Sequence, residues 1–503
     1  MLHGIPNWAR ATPDRLALRA LDQDATLTWA ELDDLTARVA AFLRARGIGP
    51  GDRVAVVVDN ALEGVVLFYG VLRAGATFVA VAAESAPASA REMVARVAPK
   101  LVLVPAGGAH GDVGADAPTL AFCRWSADPA QAAADAVFAA LPPPGAGDPH
   151  VASPGPDDIA AIGFTSGTTG TPKGVMHSYR SFAAMGRHYV ETWGLTERDR
   201  LLEYRSFAWV SAQAMALAPL VLAGCEVSVA RRFSQSRFFD WVGTVRPTIV
   251  IGVPTVVNLL LERSADATAG DLAGVRFVTC STAPLLAEQH RRFEATYAVP
   301  LVQHYGTSEG GVVAANPPAA RRIGSVGRPG VAQVVRVVAP DGGPLPAGET
   351  GEVEVAGAQL AFGYLEADRS VTPLQGRAMR TGDLGHFDAD GYLHLTGRSK
   401  DIIIRGGLNV APVEVDGVLA ADPSVAEAAT VGVPDPIYGE EIVSFVVAAP
   451  GRQADPAALL AACAAALPAG RRPRAVRVVA AIPRTDRGKT DRAALRALWE
   501  AGI

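Results

Sequence analysis

The chain has 503 residues, 49% of them apolar and 19% charged, with a formal net charge of −5. That length exceeds one ordinary hydrophobic core and predicts two or three domains, while the mildly acidic balance excludes a general affinity for nucleic acid or an anionic membrane surface. The four cysteines (Cys123, Cys225, Cys280 and Cys463) form no CxxC pair and spell neither a disulfide framework nor a zinc site, so a cytoplasmic location is expected.

The opening stretch MLHGIPNWARATPD lacks the pattern of a secretory signal. The longest apolar runs, Gly64–Gly75 and Ala214–Cys225, fall short of the roughly 18 residues a membrane span needs and read as buried elements. Leu27–Gly47 has helical spacing, with Trp29, Leu32, Leu35, Val39 and Leu43 on one face. A strand is predicted at Val54–Val58, a helix at Leu62–Leu72 and a second strand at Thr77–Val81. Strands alternating with helices indicate an α/β fold with parallel sheet. Residues 105–158, rich in Ala, Gly and Pro, read as solvated loops with at most a weak helix near Ala132–Ala140. Strands resume at Ala160–Phe164, Thr248–Gly252, Val275–Cys280 and Leu301–Tyr305. After Ile323, short segments with Gly turns, such as Gly351–Val355 and Gly391–Arg398, predict an antiparallel β region. From about Asp401 a βαβ-like pattern returns, ending in a basic stretch.

The segment FTSGTTGTPKGV (Phe164–Val175) follows an apolar strand. Its glycines let backbone N–H groups approach an anion, its hydroxyls add donors, and Lys173 adds positive charge. The spacing is not GxxxxGK[ST], so it is not a Walker loop.

This loop resembles the phosphate-binding loop of the adenylate-forming superfamily, which holds acyl-CoA synthetases, carrier-loading adenylation domains and beetle luciferases. Four further motifs follow in the family's order: QHYGTSE (Gln303–Glu309), RTGDLG (Arg380–Gly385), GRSKDIIIRGGLNVAPVEVD (Gly397–Asp416) and PRTDRGKTDRAAL (Pro483–Leu495). The resemblance implies an ATP site of Thr165, Ser166, Gly167, Thr168, Thr169, Lys173, His304, Tyr305, Gly306, Thr307, Ser308, Asp383, Arg398 and Lys489. Tyr305 would stack on adenine, Asp383 would receive the ribose hydroxyls, and Ser308 would meet the α-phosphate. Glu309 would hold Mg²⁺, a hard cation suited to a carboxylate. Lys489 would neutralise the reacting carboxylate and α-phosphate, with Lys489, Glu309 and Ser308 as the catalytic set. Lys400 stands at the family's interdomain hinge, and Gly406 and Gly407 would admit the pantetheine arm of CoA.

The implied fold is α/β: a large N-terminal AMP- and acyl-binding domain of several subdomains (1–399), with α/β sheets and a β region, plus a small mobile α+β C-terminal domain (400–503). The implied activity is ATP-dependent, AMP-forming ligation of a small-to-medium aliphatic or aromatic carboxylic acid to CoA. Loading of a carrier-protein phosphopantetheine is the alternative, and a non-catalytic nucleotide-binding protein the more distant one. The expected partners are the acid and CoA, without nucleic acid or membrane span; the assembly state is open, a homodimer included. Arg471, Arg472 and Arg474 either meet the 3′-phosphate of CoA, Arg472 foremost, or form a solvated basic face. The acyl pocket is expected around Phe207, Trp209, Gly252, Ser281, Thr282 and Ala283. Where many relatives have FHxxG this chain has Phe207, Ala208 and Trp209. Arg205 is either a receiver for a second carboxylate or a structural arginine, and the remaining lining reads as apolar. No side chain is needed as a nucleophile, so His177, His304 and the cysteines read as packing or loop residues.

Overall fold

The computed structural model describes residues 2–114, 116–147, 150–165, 173–262, 268–330, 332–485 and 489–502. Two eight-stranded sheets dominate the first 375 or so residues. In the first, Thr119–Phe122, Leu101–Pro105, Arg53–Val58, Thr77–Ala82 and Ile159–Thr165 lie parallel in that spatial order. Lys173–Ser178, Gly363–Leu365 and Val371–Pro373 extend it antiparallel. In the second, Leu301–Thr307, Phe277–Cys280, Ile249–Val250, Arg200–Glu203, Glu226–Val229 and Leu16–Ala20 run parallel. Antiparallel strands Gly311–Ala315 and Ala25–Thr28 close its edges.

The largest core lies between these sheets. It joins Val54, Val56 and Phe78 of one sheet to Leu18, Val227, Phe277 and Val302 of the other through the helices Trp29–Arg44, Leu62–Ala74 and Tyr179–Trp193. Strands covered on both faces lose the in–out alternation, which is why Arg53–Val58 and Thr77–Ala82 are nearly continuous apolar runs. Helix Leu62–Ala74 is buried along its whole length, matching its lack of a polar face. Its end is set by Gly75 at φ 86°, a left-handed C-cap. Helix Trp29–Arg44 starts with a reciprocal Thr28–Glu31 capping box.

The region 105–158 is more ordered than its composition predicts. Thr119–Phe122 is an edge strand paired with Leu101–Pro105, and the helix predicted near Ala132–Ala140 is two short pieces, Pro129–Ala133 and Phe138–Ala140. Four residues on a sheet edge are too few to show a period of two. The predicted antiparallel region is a four-stranded sheet of Gln333–Val338, Gly351–Gly357, Met379–Phe387 and Leu393–Arg398. The last sheet carries the hairpin Ile403–Arg405/Leu408–Val410, the long pair Val425–Asp435/Gly439–Ala448 and the parallel strand Ala475–Val478. Its apolar clusters are its own, around Ile403, Val446 and Leu459 on one face and Val431, Phe445 and Leu495 on the other. Among the described residues no helix is long and apolar enough to cross a membrane.

Candidate active site

Thr165 and Lys173 stand opposite each other across an antiparallel pair, so the two ends of the glycine-rich loop meet. The loop itself, with Ser166, Gly167, Thr168 and Thr169, lies outside the described residues. Four residues beyond Lys173 on the same strand, the buried His177 donates from Nε2 to the carbonyl of Ser308 at 2.9 Å. This bond ties the loop's outgoing strand to the turn bearing Ser308 and Glu309. Burial pushes the His177 imidazole down to about 4, only partly countered by the Ser308 carbonyl, so the ring is neutral at pH 7.

The turn's geometry needs glycine. A Cβ on Gly306 would come 2.4 Å from the Gly311 carbonyl oxygen of the neighbouring strand. The Thr307 hydroxyl accepts from the Gly310 N–H at 2.7 Å and closes the turn. Glu309 is half-buried, and its Oε1 accepts from the Tyr364 hydroxyl at 3.1 Å. The Lys173 ammonium lies 5.1 Å from the centre of the same Tyr364 ring. Tyr364 therefore bridges the loop lysine and the carboxylate expected to hold metal. Burial, then Glu309, pushes its phenol upward, so it stays a donor at neutral pH.

A second cluster lies on the β region. Asp383 and Arg398 are direct cross-strand partners, and Arg398 Nε donates to Asp383 Oδ1 at 2.6 Å. The other carboxylate oxygen accepts from the Tyr305 hydroxyl. The structure thus brings Tyr305, Asp383 and Arg398 together. It does not bring His304 with them: that side chain is buried with Tyr189 and Trp193, because successive strand residues point to opposite faces.

Lys400 is exposed on the single turn Ser399–Asp401, and Arg492 pairs with Asp401 at 3.4 Å. Gly406 and Gly407 form the tip of the Ile403–Arg405/Leu408–Val410 hairpin with φ of 56° and 83°, a conformation open to glycine. Around that tip Ile404, Leu408, Ile437 and Tyr438 are 55%, 52%, 81% and 44% exposed. Lys489 is exposed on a loop held by Thr485, whose N–H donates to the Lys489 carbonyl at 2.8 Å. Residues 486–488 lie outside the described residues. Arg472 is exposed and donates to the Leu467 carbonyl at 2.8 Å, while Arg471 pairs with Glu414 and Arg474 with Asp435.

Of the acyl-pocket residues, Phe207 is buried in the main core and Trp209 is half-buried against it, at the start of a short helix that runs into a π-turn, Gln213–Leu217. Gly252 packs so closely that a Cβ would lie 2.7 Å from the Thr279 carbonyl oxygen. Ser281 is buried with its hydroxyl unpartnered, Thr282 has φ 76°, and Ala283 is half-buried. Left-handed backbone at a threonine is a strained arrangement of the kind found at binding sites. Sequence reasoning missed Tyr364 and read His177 as a packing or loop residue; the one available signal was a tyrosine among small and apolar residues in LAFGYLE.

A family model described as AMP-binding enzyme matches residues 5–365, and one described as AMP-binding enzyme C-terminal domain matches residues 414–489. The chain is 36% identical over 494 residues to a sulfoacetate–CoA ligase of Cupriavidus necator, covering 95% of this chain and 94% of that one. It is 31% identical to an indoleacetate–CoA ligase of Aromatoleum aromaticum, covering 98% and 97%. The ATP-bound crystal structure of MatB from Rhodopseudomonas palustris superposes with a TM-score of 0.86 at 29% identity over 99% of both chains.

Proposed function

The chain belongs to the AMP-binding enzyme family, and from that membership we propose that it is an ATP-dependent, AMP-forming ligase joining a carboxylic acid to CoA. The observation that carries this reading is the convergence of Lys173, Tyr364 and Glu309 on one side of the Leu301–Thr307 strand's turn, with Tyr305, Asp383 and Arg398 beside it. One group suits phosphates and the other a ribose.

A carboxylate is a poor acyl donor because oxide is a bad leaving group. In the proposed first step a carboxylate oxygen attacks the α-phosphorus of ATP, the bond to the β-phosphate oxygen breaks, and pyrophosphate leaves. The acid is itself the nucleophile. Lys173, with the loop donors, faces the phosphates; Lys489 approaches the reacting oxygen; Ser308 meets the α-phosphate. Fixed charge placed where negative charge collects lowers the barrier without reorganisation at the moment of reaction. Asp383 exchanges the Tyr305 hydroxyl for ribose hydroxyls, and Arg398 keeps its carboxylate oriented.

The donor set fits Mg²⁺. Glu309 spends one oxygen on Tyr364 and stands at a half-exposed position beside the phosphate loop; one carboxylate plus phosphate oxygens is how Mg²⁺ is commonly held. When bound, the ion supplies charge neutralisation for the polyphosphate.

In the second step the CoA thiolate attacks the acyl carbon and AMP leaves with the bonding electrons. Residues 400–503 turn about Lys400, withdrawing Lys489 and bringing Gly406 and Gly407 to the pantetheine arm. The exposed apolar residues around those glycines support this: they suit a surface that is covered in only one of two domain arrangements.

The test is a carboxylic-acid panel with ATP, Mg²⁺ and CoA, read by pyrophosphate release and by mass of the thioester, with a parallel arm offering a phosphopantetheinylated carrier protein. Pyrophosphate and acyl-CoA are expected. Acyl transfer to the carrier alone would replace CoA as acceptor, and no pyrophosphate with any acid would end the ligase reading.

A further inference from the structure

Between the Tyr179–Trp193 helix and the carboxyl ends of the second sheet lies a set of buried nitrogen donors with no acceptor among the described residues. Glu203 and Arg205 form a bidentate pair, Nε to Oε1 at 3.0 Å and Nη2 to Oε2 at 2.6 Å. The backbone N–H groups of Tyr204 and Arg205 also donate to Glu203 Oε1, so the carboxylate is saturated and the guanidinium is fixed in place. Its outer nitrogen, Nη1, has no partner among the described residues, although the residue is only 4% exposed.

His304 Nε2 is likewise buried and unpartnered. Its Nδ1 meets the Tyr189 hydroxyl at 3.3 Å; that hydroxyl has no other partner among the described residues, so it donates and leaves the ring proton on Nε2. His188 repeats the pattern. The Val312 N–H donates to Gln359 Oε1 and so orients that amide. Gln359 Nε2 then donates to His188 Nδ1 at 2.9 Å. The His188 proton therefore also sits on Nε2, again without a partner. Burial disfavours a charge on His304, and the nearby Arg205 and His188 add to that.

Buried polar groups are almost always satisfied, and a buried group left without a partner calls for an explanation. Each of these three is a donor, so what is missing is an acceptor. Arg205 lies two residues past the carboxyl end of the strand Arg200–Glu203, and His304 lies on Leu301–Thr307, which runs parallel to it in the same sheet, so both stand toward the end where open α/β sheets hold their ligands. His304 is three residues before Thr307 on one strand, roughly 10 Å at about 3.3 Å per residue. An acid reaching from the phosphate turn to these nitrogens is therefore short.

Resting on the ligase reading above, we infer that the acid this enzyme activates is a short chain bearing a second anionic oxyacid group, carboxylate or sulfonate, received by Arg205 Nη1 and His304 Nε2 with His188 behind them. A two-oxygen anion matches several convergent N–H donors; a neutral amide presents one acceptor oxygen and brings N–H donors of its own, and a methyl group none. This replaces the apolar lining that sequence alone suggested.

The experiment compares kcat/KM of the full-length enzyme, with ATP, Mg²⁺ and CoA, for malonate, succinate and 3-sulfopropanoate against succinamate and pentanoate. The doubly anionic acids are expected to be preferred at least a hundredfold, and the carboxylate and sulfonate arms decide which oxyacid group fits. His304→Gly should cut that preference at least tenfold, chiefly through KM. Arg205→Gln alone would strip Glu203 of its partner, so the second variant is Glu203→Gln/Arg205→Gln, checked by thermal melting; it should also cut the preference. Succinamate or pentanoate activated as well as succinate by the wild type would overturn the inference and leave the ligase reading intact. A preference unchanged in His304→Gly would overturn the assignment of the residues. No pyrophosphate from any acid would remove the ligase reading and this inference with it.

Discussion

His177 Nε2 donates to the carbonyl of Ser308 across 2.9 Å, joining the strand that leaves the glycine-rich loop to the turn that carries Glu309, the carboxylate proposed to hold Mg²⁺. Two motifs 131 residues apart are held in one geometry by this bond. Replacing His177 with Phe keeps the bulk and leaves the half-buried Ser308 carbonyl without its donor, a cost of at most about 1–3 kcal/mol. His177→Phe is expected to lower the rate of adenylate formation about ten- to a hundredfold, read by ATP–pyrophosphate exchange. The same ring makes the fold acid-sensitive. Its folded pKa is depressed to about 4 from 6.5, so below pH 6.5 the unfolded chain takes up a proton that the native ring refuses. Stability is full above pH 6.5 and falls as pH drops toward 4. In a series of denaturation midpoints over that window, the variant should show the shallower slope.

Tyr364 gives a sharper test of the phosphate side. Its hydroxyl fixes Glu309 while its ring lies beside Lys173, so Tyr364→Phe removes the first contact and keeps the second. A hydrogen bond to a charged group contributes about 1.5–3 kcal/mol. The variant should lose about tenfold or more in adenylation kcat and need more Mg²⁺ for half-maximal rate. An unchanged Mg²⁺ dependence would show that Tyr364 does not position Glu309 for the proposed Mg²⁺.

What could be read in advance follows from how local each signal is. Asp383 and Glu309 sit in short motifs whose neighbours shape their own turns, so a few residues suffice to find them. Tyr364 acts on a carboxylate 55 residues away through a three-residue strand, and no local pattern encodes that. The Glu203–Arg205 pair is local in sequence, yet its meaning depends on His188 and Tyr189 of one distant helix and on Gln359 of a distant turn. His304 was assigned to the nucleotide by its place beside Tyr305, and strand alternation turns it the other way. The parallel sheets were legible because apolar runs and helical stripes alternate over long stretches. The edge strand Thr119–Phe122 was not, being only four residues long and directly preceded by Pro118.

The two-step scheme separates two surfaces of the last 104 or so residues. Lys489→Ala should nearly abolish adenylate formation while preformed acyl-adenylate is still converted to thioester. Ile437→Asp should do the reverse, because it charges the exposed apolar rim beside Gly406 and Gly407 without touching the Lys489 loop. A tenfold or greater loss in thioester formation with pyrophosphate exchange retained is the expected result. Equal losses in both steps for both variants would argue against two domain arrangements.

Asp416 adds a pH dependence of opposite sign to that of His177. It lies on the buried face of the helix Pro412–Ala420, with one carboxylate oxygen unpartnered. Burial pushes it up to about 7, against the pull of Thr430 and Arg492. From about pH 4 to 7 the native carboxyl keeps a proton that the unfolded chain has lost, so stability falls as pH rises through that window and levels off above it. At about 1.4 kcal/mol per pH unit the loss reaches as much as about 4 kcal/mol. Asp416→Asn cannot titrate. Its denaturation midpoint should rise relative to wild type steadily from pH 4 to 7 and stay higher at pH 8. The helix follows the Gly406–Gly407 hairpin, and Arg492, which acts on Asp416, pairs with Asp401 next to the hinge. An ionised Asp416 competes with Asp401 for that arginine, so the variant should also flatten the pH dependence of the thioester step above pH 7, a change that a purely local gain in stability would not produce.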